Sequence, residues 1–438
     1  MKNPSGEPEG FFFCSVPVIV SLSYNPPKMS SSPSAGTGLS DLQARLDTAL
    51  EKGEDRGVAV VDALLHAGAR SGASDLHLEP LADRVRVRLR VDGTLVTAAR
   101  LPQASWELIV ARLKVQAKLV TYRRRVPQDG SLRLEIDGRE VELRLSFIPS
   151  LHGEKAAIRF LSPSRAARGL SELGLSPAGV EAFRSVLAKS SGTFLVTGPA
   201  GGGKTTTLYA ALAHIQQDRP DGLNIMTLED PVERDLDGVT QTQVDGPGGV
   251  SFTSGLRAAL RHDPDVLMIG EIRDRDTAEI AIQAGLTGHL VLSTIHSGTA
   301  AGVFSRLMNL EIEPFLVSAA VAGAAAQRLV RLVCRECAAE DPSAAKRLKL
   351  LPEAAGRGGM WLRGRGCPAC ARTGYSGRTG VFEILTIDEE LRQAVLEKAP
   401  ASSLAKLARA RGFRSLQEEA LDKARAGLTT LEEVLRLR

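Results

Sequence analysis

Residues 198–207 read GPAGGGKTTT, with the apolar run TFLVT before them and the helix-forming stretch TTLYAALAHIQQD overlapping their end. No other feature limits the fold of this chain so tightly. The pattern G-x-x-x-x-G-K-[ST] is met by Gly198, Gly203, Lys204 and Thr205. Glycines let consecutive backbone amides converge on an anion without Cβ clashes. The helix behind them adds the partial positive charge of its N-terminus. The stretch Gly198, Pro199, Ala200, Gly201, Gly202, Gly203, Lys204, Thr205 and Thr206 is therefore the expected phosphate cradle. Lys204 is placed to reach the β- and γ-phosphates of ATP, and the Thr205 hydroxyl to ligate Mg²⁺. A chance glycine-rich turn is the competing reading, and the flanking strand and helix argue against it.

Around this loop the pattern alternates. TFLVT, LNIMTLE, DVLMIGE and HLVLSTIH read as strands, separated by helical stretches such as RDTAEIAIQAGLT. That rhythm predicts an α/β domain with a parallel sheet. Residues 41–165 differ: a helical 57–70, then RVRVRLRVDGTLV and SLRLEIDGREVELRLSFIPS, two alternating segments each broken by Asp-Gly. They predict hairpins in a smaller α+β domain. With 438 residues, two or three domains are expected. The division read from the sequence is a 1–40 segment, an α+β domain at 41–165, an α/β domain with the glycine loop at 166–330, a cysteine-bearing subdomain at 331–380 and a helical 381–438, with a linker inside 163–179.

The first 40 residues are expected to be a disordered tail: NPPKMSSSPSAGTG is of low complexity, and Met29 is an alternative start. FFFCSVPVIVSLSY, at 11–24, is interrupted by Pro17 and serines and makes a poor signal peptide. No apolar run approaches the roughly 18 residues that a membrane-spanning helix needs. A net charge of +4 lends no support to nucleic-acid binding.

Two acidic stretches accompany the loop. In RHDPDVLMIGEIRD an apolar strand ends at Gly270-Glu271, so Glu271 is the expected general base for water attacking the γ-phosphate. The alternative is a structural acid paired with Arg273 or Arg261. In TLEDPVE, Glu229, Asp230 and Glu233 stand at another strand end, to serve Mg²⁺ through water or to pair with arginines. His289 and His296 bracket a third strand, and a γ-phosphate sensor among them has to lie at its phosphate end.

Four of the five cysteines form two pairs, Cys334-x-x-Cys337 and Cys367-x-x-Cys370. Two such knuckles suit a closed tetrahedral Zn²⁺ site with a structural role. A redox pair or plain buried thiols are the alternatives; Cys14 has no evident partner.

Taken together, these motifs make residues 57–438 resemble the bacterial type II secretion and type IV pilus assembly ATPases. The resemblance also rests on ASDLHLEP, RVDG, PQDG, AQRLVRLVC, TGYSGRTGVFE and GLTTLEEVLR. It implies a RecA-like motor, a PAS-like N-terminal domain that swings against it, a homo-hexamer, and a cytoplasmic position at the inner membrane face. The implied partner is an inner-membrane platform protein. The resemblance further suggests that Arg144 and Arg159 bring positive charge to the terminal phosphates, that Arg257 and Arg261 lie near the nucleotide or a subunit contact, and that Glu229 and His289 belong to the catalytic set. Three departures stand out: the family's additional N-terminal domain has no counterpart, Gly202 replaces a Ser or Thr, and HSG replaces HTN at 296–298.

Three other readings compete. A retraction or conjugation-type ATPase is disfavoured by the tetracysteine motif, which the resemblance ties to assembly ATPases. A nucleic-acid-binding zinc protein would read with RVRVRLRV, but aromatic content of 4% offers few stacking platforms. A non-hydrolysing assembly factor would not need Lys204, Thr205 and Glu271 together.

Overall fold

A computed structural model describes residues 39, 41–161, 169–219, 222–245, 248–351 and 358–437. The expectations for the opening segment, Met29 and Cys14 lie outside the described residues, as does 162–168 within the linker.

The N-terminal part contains α1 (Leu42–Leu50), α2 (Arg56–Arg70), β1 (Asp75–Pro80), β2 (Arg84–Val91), β3 (Thr94–Pro102), α3 (Trp106–Gln116), β4 (Gln128–Ile136), β5 (Arg139–Ser150) and β6 (Gly153–Leu161). Its six strands form one antiparallel sheet in the order β3-β2-β1-β6-β5-β4. Alternation decides which face is covered. Val85, Val87 and Leu89 of β2 are fully buried against Val61, Leu64 and Leu65 of α2, whereas the intervening arginines point away. Both Asp-Gly pairs make the tight turns: φ is +48° and +80° at Asp92-Gly93, and +53° and +72° at Asp137-Gly138. Positive φ at both central residues matches the twist of the flanking strands.

The arginine face of β2 is neutralised from within. Glu79 on β1 pairs with Arg86 at 2.9 Å, with Lys155 at 3.1 Å, and with Arg88. Burial by itself would raise the Glu79 pKa. Hydrogen bonds from Arg88, Lys155 and Arg86 outweigh it and hold the carboxyl at about 2. Arg86, Arg88 and Arg90 are thus partners of acids on β1.

The second part runs through α4 (Pro177–Leu187), β7 (Gly192–Thr197), α5 (Lys204–Asp218), β8 (Ile225–Glu229), β9 (Thr240–Gln243), α6 (Phe252–Ala259), β10 (Val266–Ile272), α7 (Arg275–Leu286), β11 (Leu290–Ile295), α8 (Gly302–Asn309), α9 (Pro314–Ala320) and β12 (Val321–Val333). It continues with β13 (Ala338–Glu340), α10 (Ala344–Leu348), β14 (Leu362–Gly364), β15 (Tyr375–Thr386), α11 (Glu389–Leu396), α12 (Ala401–Arg409), α13 (Leu416–Arg425) and α14 (Leu431–Leu435). Seven strands form the sheet β15-β12-β7-β11-β10-β8-β9. Every neighbouring pair is parallel except β12–β15. All residues of β7 and β11 are buried, as expected for a sheet covered on both faces.

The four strands read from the sequence appear as β7, β8, β10 and β11, while β9, β12 and β15 complete the sheet. Because β15 returns antiparallel alongside β12, the sheet is mixed, though mostly parallel. Both strands run through positions 331 and 380, so the cysteine segment is an excursion from two adjacent strands of the seven-stranded sheet. Within it, β13 and β14 form a small ladder of their own. No helix among the described residues is long and apolar enough to cross a membrane.

Candidate active site

In a parallel sheet, the loops leaving the carboxyl ends of the strands gather along one edge. Here that edge collects the turns after β7, β8, β10 and β11. The loop 198–203 leaves β7 and closes on α5, with Gly203 as N-cap at φ +84°. Its two ends and Gly201 need positive φ, at +155°, +68° and +84° for Gly198, Gly201 and Gly203. Gly202 donates to the Pro199 carbonyl at 3.1 Å, and a Cβ there would lie 2.9 Å from that oxygen. The absence of a Ser or Thr side chain at 202 is therefore matched to a loop that closes tightly over Pro199.

Lys204 folds back along the loop, donating to the carbonyls of Gly198 at 3.0 Å and Pro199 at 3.1 Å. Burial lowers its pKa from the ordinary lysine value. The Glu271 charge opposes that shift and the Arg328 charge reinforces it, so all three groups share one neighbourhood.

Glu271 sits on β10 at the same edge, 18% exposed. Its carboxylate is 3.0 Å from Arg273 and its Oε1 is 2.6 Å from His296 Nε2. His296 follows β11 directly. Thr197 holds the adjoining loop: its hydroxyl accepts from Ser297 N at 2.7 Å and donates to Ser297 O at 2.8 Å. Arg328 ties down the next residue, donating to Gly298 O at 3.0 Å.

The acidic stretch after β8 divides by role. Glu229 is 2% exposed and fully engaged: it accepts from Thr227 at 2.7 Å, from Gln241 at 2.9 Å and from the Tyr209 hydroxyl. Burial first, and then the bond to Glu229, push the Tyr209 phenol pKa upward. Glu229 is thus an anchor joining β8, β9 and α5. Glu233 is the acid that meets the loop. Burial raises its pKa, a hydrogen bond from the Thr205 side chain opposes this, Glu229 adds repulsion, and Arg144 supplies attraction. Thr205 and Arg144 therefore both lie within reach of the Glu233 charge, and Arg144 comes from the N-terminal sheet. Arg159 is directly opposite Arg144 across β5 and β6, exposed, with Nε donating to Asp75 at 3.1 Å.

Three expected residues are not brought to this edge within the chain. His289 precedes β11, at the opposite end from His296. Its carbonyl accepts from Gly192 N at 3.1 Å and its Nδ1 is 3.1 Å from Ala284 O. The length of β11, about 17 Å, separates it from the phosphate loop. Of the two histidines, His296 occupies the phosphate end, because parallel strands put all carboxyl ends on one side. Arg257 and Arg261 are exposed on the segment entering the amino end of β10. Arg261 donates to Arg257 O at 2.8 Å, and Asn224, just ahead of β8, donates to the carbonyl of His262 at 2.7 Å.

Gln327 and Arg328 of β12 also lie beside the loop. Both lie in AQRLVRLVC, a visible motif without a chemical signature, so only the packing of β12 beside β7 locates them.

The four cysteines meet where β12 ends and β15 begins. Sγ separations are 3.8 Å for Cys334–Cys367, 3.9 Å for Cys337–Cys370 and 3.7 Å for Cys367–Cys370, and all four ligand atoms lie within 4.8 Å of one another. A tetrahedral shell with metal–sulfur bonds near 2.3 Å has sulfurs about 3.8 Å apart. Burial pushes the Cys334 thiol up to about 12. Burial acts the same way on Cys370, but the N–H groups of Cys367 and Gly374 outweigh it and bring that thiol to about 7.

A largely parallel sheet, a glycine loop with its lysine, and a strand-end carboxylate beside that lysine define a P-loop ATPase. The chain belongs to the family described as Type II/IV secretion system protein, whose model matches residues 51–436. It is 42% identical over 380 residues to the type II secretion system ATPase E of Vibrio cholerae, covering 87% of this chain and 75% of that protein. To the type II secretion system protein HxcR of Pseudomonas aeruginosa it is 43% identical, covering 87% and 77%. To the type IV pilus assembly ATPase PilB of Thermus thermophilus it is 42% identical, covering 88% of this chain and 43% of that longer protein. Among solved structures, the pilus retraction motor PilT with bound ADP has a TM-score of 0.56 at 23% identity, covering 86% and 96%, and the Legionella pneumophila ATPase DotB has 0.61 at 19%, covering 87% and 94%. At these identities the structural likeness concerns the fold.

Proposed function

We propose that the chain is the ATP-hydrolysing motor of a type II secretion or type IV pilus assembly machine. It would work as a homo-hexamer against an inner-membrane platform protein, at the cytoplasmic membrane face. The observation that carries the chemistry is the meeting of Lys204, Glu271 and Thr205 at one sheet edge. The names of the relatives support the machine.

In this reading the amides of 198–206 cradle the ATP phosphates, with Lys204 turning from the loop carbonyls to the β- and γ-oxygens. Glu271 accepts the proton of the attacking water, with His296 and Arg273 holding its carboxylate in place. Arg144 and Arg159 neutralise charge on the terminal phosphate, which requires the N-terminal sheet to stay near the loop. The Thr205 hydroxyl would hold Mg²⁺, with Glu233 close by, and Mg²⁺ supplies charge neutralisation on the phosphate oxygens when bound. Arg257, Arg261 and His289 face away from the loop of their own chain, which suits contact with an adjacent subunit. The tetracysteine shell would hold Zn²⁺ with no open position, a structural role.

The direct test is Mg²⁺-dependent phosphate release by the full chain. Wild type should turn over ATP and Lys204→Ala should not. Equal rates in the two would remove the basis of the proposal. For the machine, the protein should be retained by inner-membrane vesicles carrying the platform protein and not by vesicles lacking it.

A further inference from the structure

On β12, Gln327 lies against the phosphate loop and the helix behind it. Gln327 is 2% exposed, and its Oε1 accepts the hydroxyl of Thr207 at 2.6 Å. Thr207, fully buried, is in the first turn of α5. On the other side of the carboxamide, Nε2 lies 2.8 Å from where a Cβ on Gly203 would stand. The Gln327 carbonyl oxygen lies 2.5 Å from the Cβ position of Gly198. Those two glycines are the ends of the loop. The ladder between β12 and β7 closes at Ala326 opposite Thr197, so Gln327 is the first residue past it, alongside the point where the loop departs.

A loop rich in glycine has few side chains of its own to hold its amides in register. Each amide–phosphate bond weakens once the nest widens, and ordering a slack loop subtracts from affinity. We infer that Gln327 is a positioning residue that sets the width of the phosphate cradle: its backbone carbonyl lies against Gly198, while its neutral carboxamide braces Gly203 and the first turn of α5. Its oxygen fixes the helix and its nitrogen presents an uncharged donor beneath Gly203. A methionine would keep the volume and lose both the hydrogen bond from Thr207 and the amide group beneath Gly203. A glutamate would keep the shape and an acceptor, but would bring an acid under the phosphates.

The inference rests on the reading of 198–206 as a triphosphate site, so the experiment separates the two. Affinity for Mg-ATP is measured on the full chain with a fluorescent ATP analogue, next to the KM and kcat of hydrolysis and the melting midpoint without nucleotide. Gln327→Met should weaken binding about tenfold and raise KM more than it lowers kcat. Its midpoint should stay within about 3 °C of wild type. Gln327→Glu should bind more weakly than Gln327→Met although it is the closer isostere; a purely space-filling role predicts the reverse order and would overturn the inference. Binding by Gln327→Met within twofold of wild type would overturn it too. Should Gln327→Met fail to fold, Thr207→Val removes the hydroxyl at constant shape; at least a threefold loss of affinity is expected, and none would overturn the inference. A wild type that binds no ATP, or a Lys204→Ala variant that binds it as well as wild type, would instead strike the reading of the loop.

Discussion

Glu271 has two companions within 3.0 Å, and this bears on how it acts. Arg273 and His296 orient the carboxylate, while Lys204 lies within its electrostatic reach. Replacing the carboxylate by an amide keeps shape and removes the proposed base. Glu271→Gln is expected to cut phosphate release at least 100-fold while ATP still binds, read by single-turnover hydrolysis beside equilibrium binding. Arg144 offers a second test, because its charge reaches Glu233 from another domain. Arg144→Ala should lower steady-state turnover of the assembled protein by more than twofold; a smaller change would remove its assigned role. Lys204, Thr205 and Glu271 were legible because motif chemistry depends on local spacing. The sequence-level choice of His289 over His296 depended on which end of a strand faces the phosphates, and parallel pairing with β7 puts His296 there.

At the scale of elements, β12 was the least legible. Its beginning, VAGAAAQ, lacks the period of two and has Val321 as its single β-branched residue, a weak signal for a strand. Tertiary packing makes it one: Ala324, Ala325 and Ala326 are fully buried, and a Cβ on Gly323 would lie 2.9 Å from the Leu385 carbonyl. Small residues are needed because β7 and β15 flank the strand and helices cover it. The cluster of four cysteines depends on the same strand, since Cys334 follows it directly. Cys334→Ser, or removal of metal by a strong chelator, should make 338–366 sensitive to protease and lower bound zinc from about one per chain to well under one. Zinc content near zero in fresh wild-type protein would defeat that expectation.

For the whole molecule, the informative contact joins the two sheets. The β2–β3 hairpin tip rests on β12 and β15: Asp92 accepts from Gly377 N at 2.7 Å, and Thr94 from Arg331 at 3.0 Å. Arg331 stacks 3.9 Å over the Tyr375 ring and donates to Glu433, which is fully buried. Arg331→Ala leaves that carboxylate with much less compensation and should cost about 3 kcal/mol by chemical denaturation. Asp92→Gly suits the positive φ of the turn and removes the acceptor of the Gly377 amide; it should barely change stability while raising amide exchange at Gly377. Acid sensitivity belongs to this scale as well. The Glu79 carboxyl is depressed in the folded state, to about 2 from an ordinary 4.5. Its contribution is therefore complete above about pH 4.5 and is lost as pH falls toward 2. Glu79→Gln should flatten that acid limb of the stability profile, followed by circular dichroism.

By itself, the sequence determined the phosphate cradle, the α/β rhythm, the two Asp-Gly hairpins and the paired cysteines, since each is written in residues close together in the chain. Tertiary structure alone decided the rest: that β15 returns antiparallel beside β12, that Glu229 anchors while Glu233 meets Thr205, that His296 shares an edge with Glu271, and that Gln327 underlies the loop. Those outcomes depend on which strands become neighbours. Neighbour choice follows from burying apolar faces across long stretches of chain, and no short stretch contains that information.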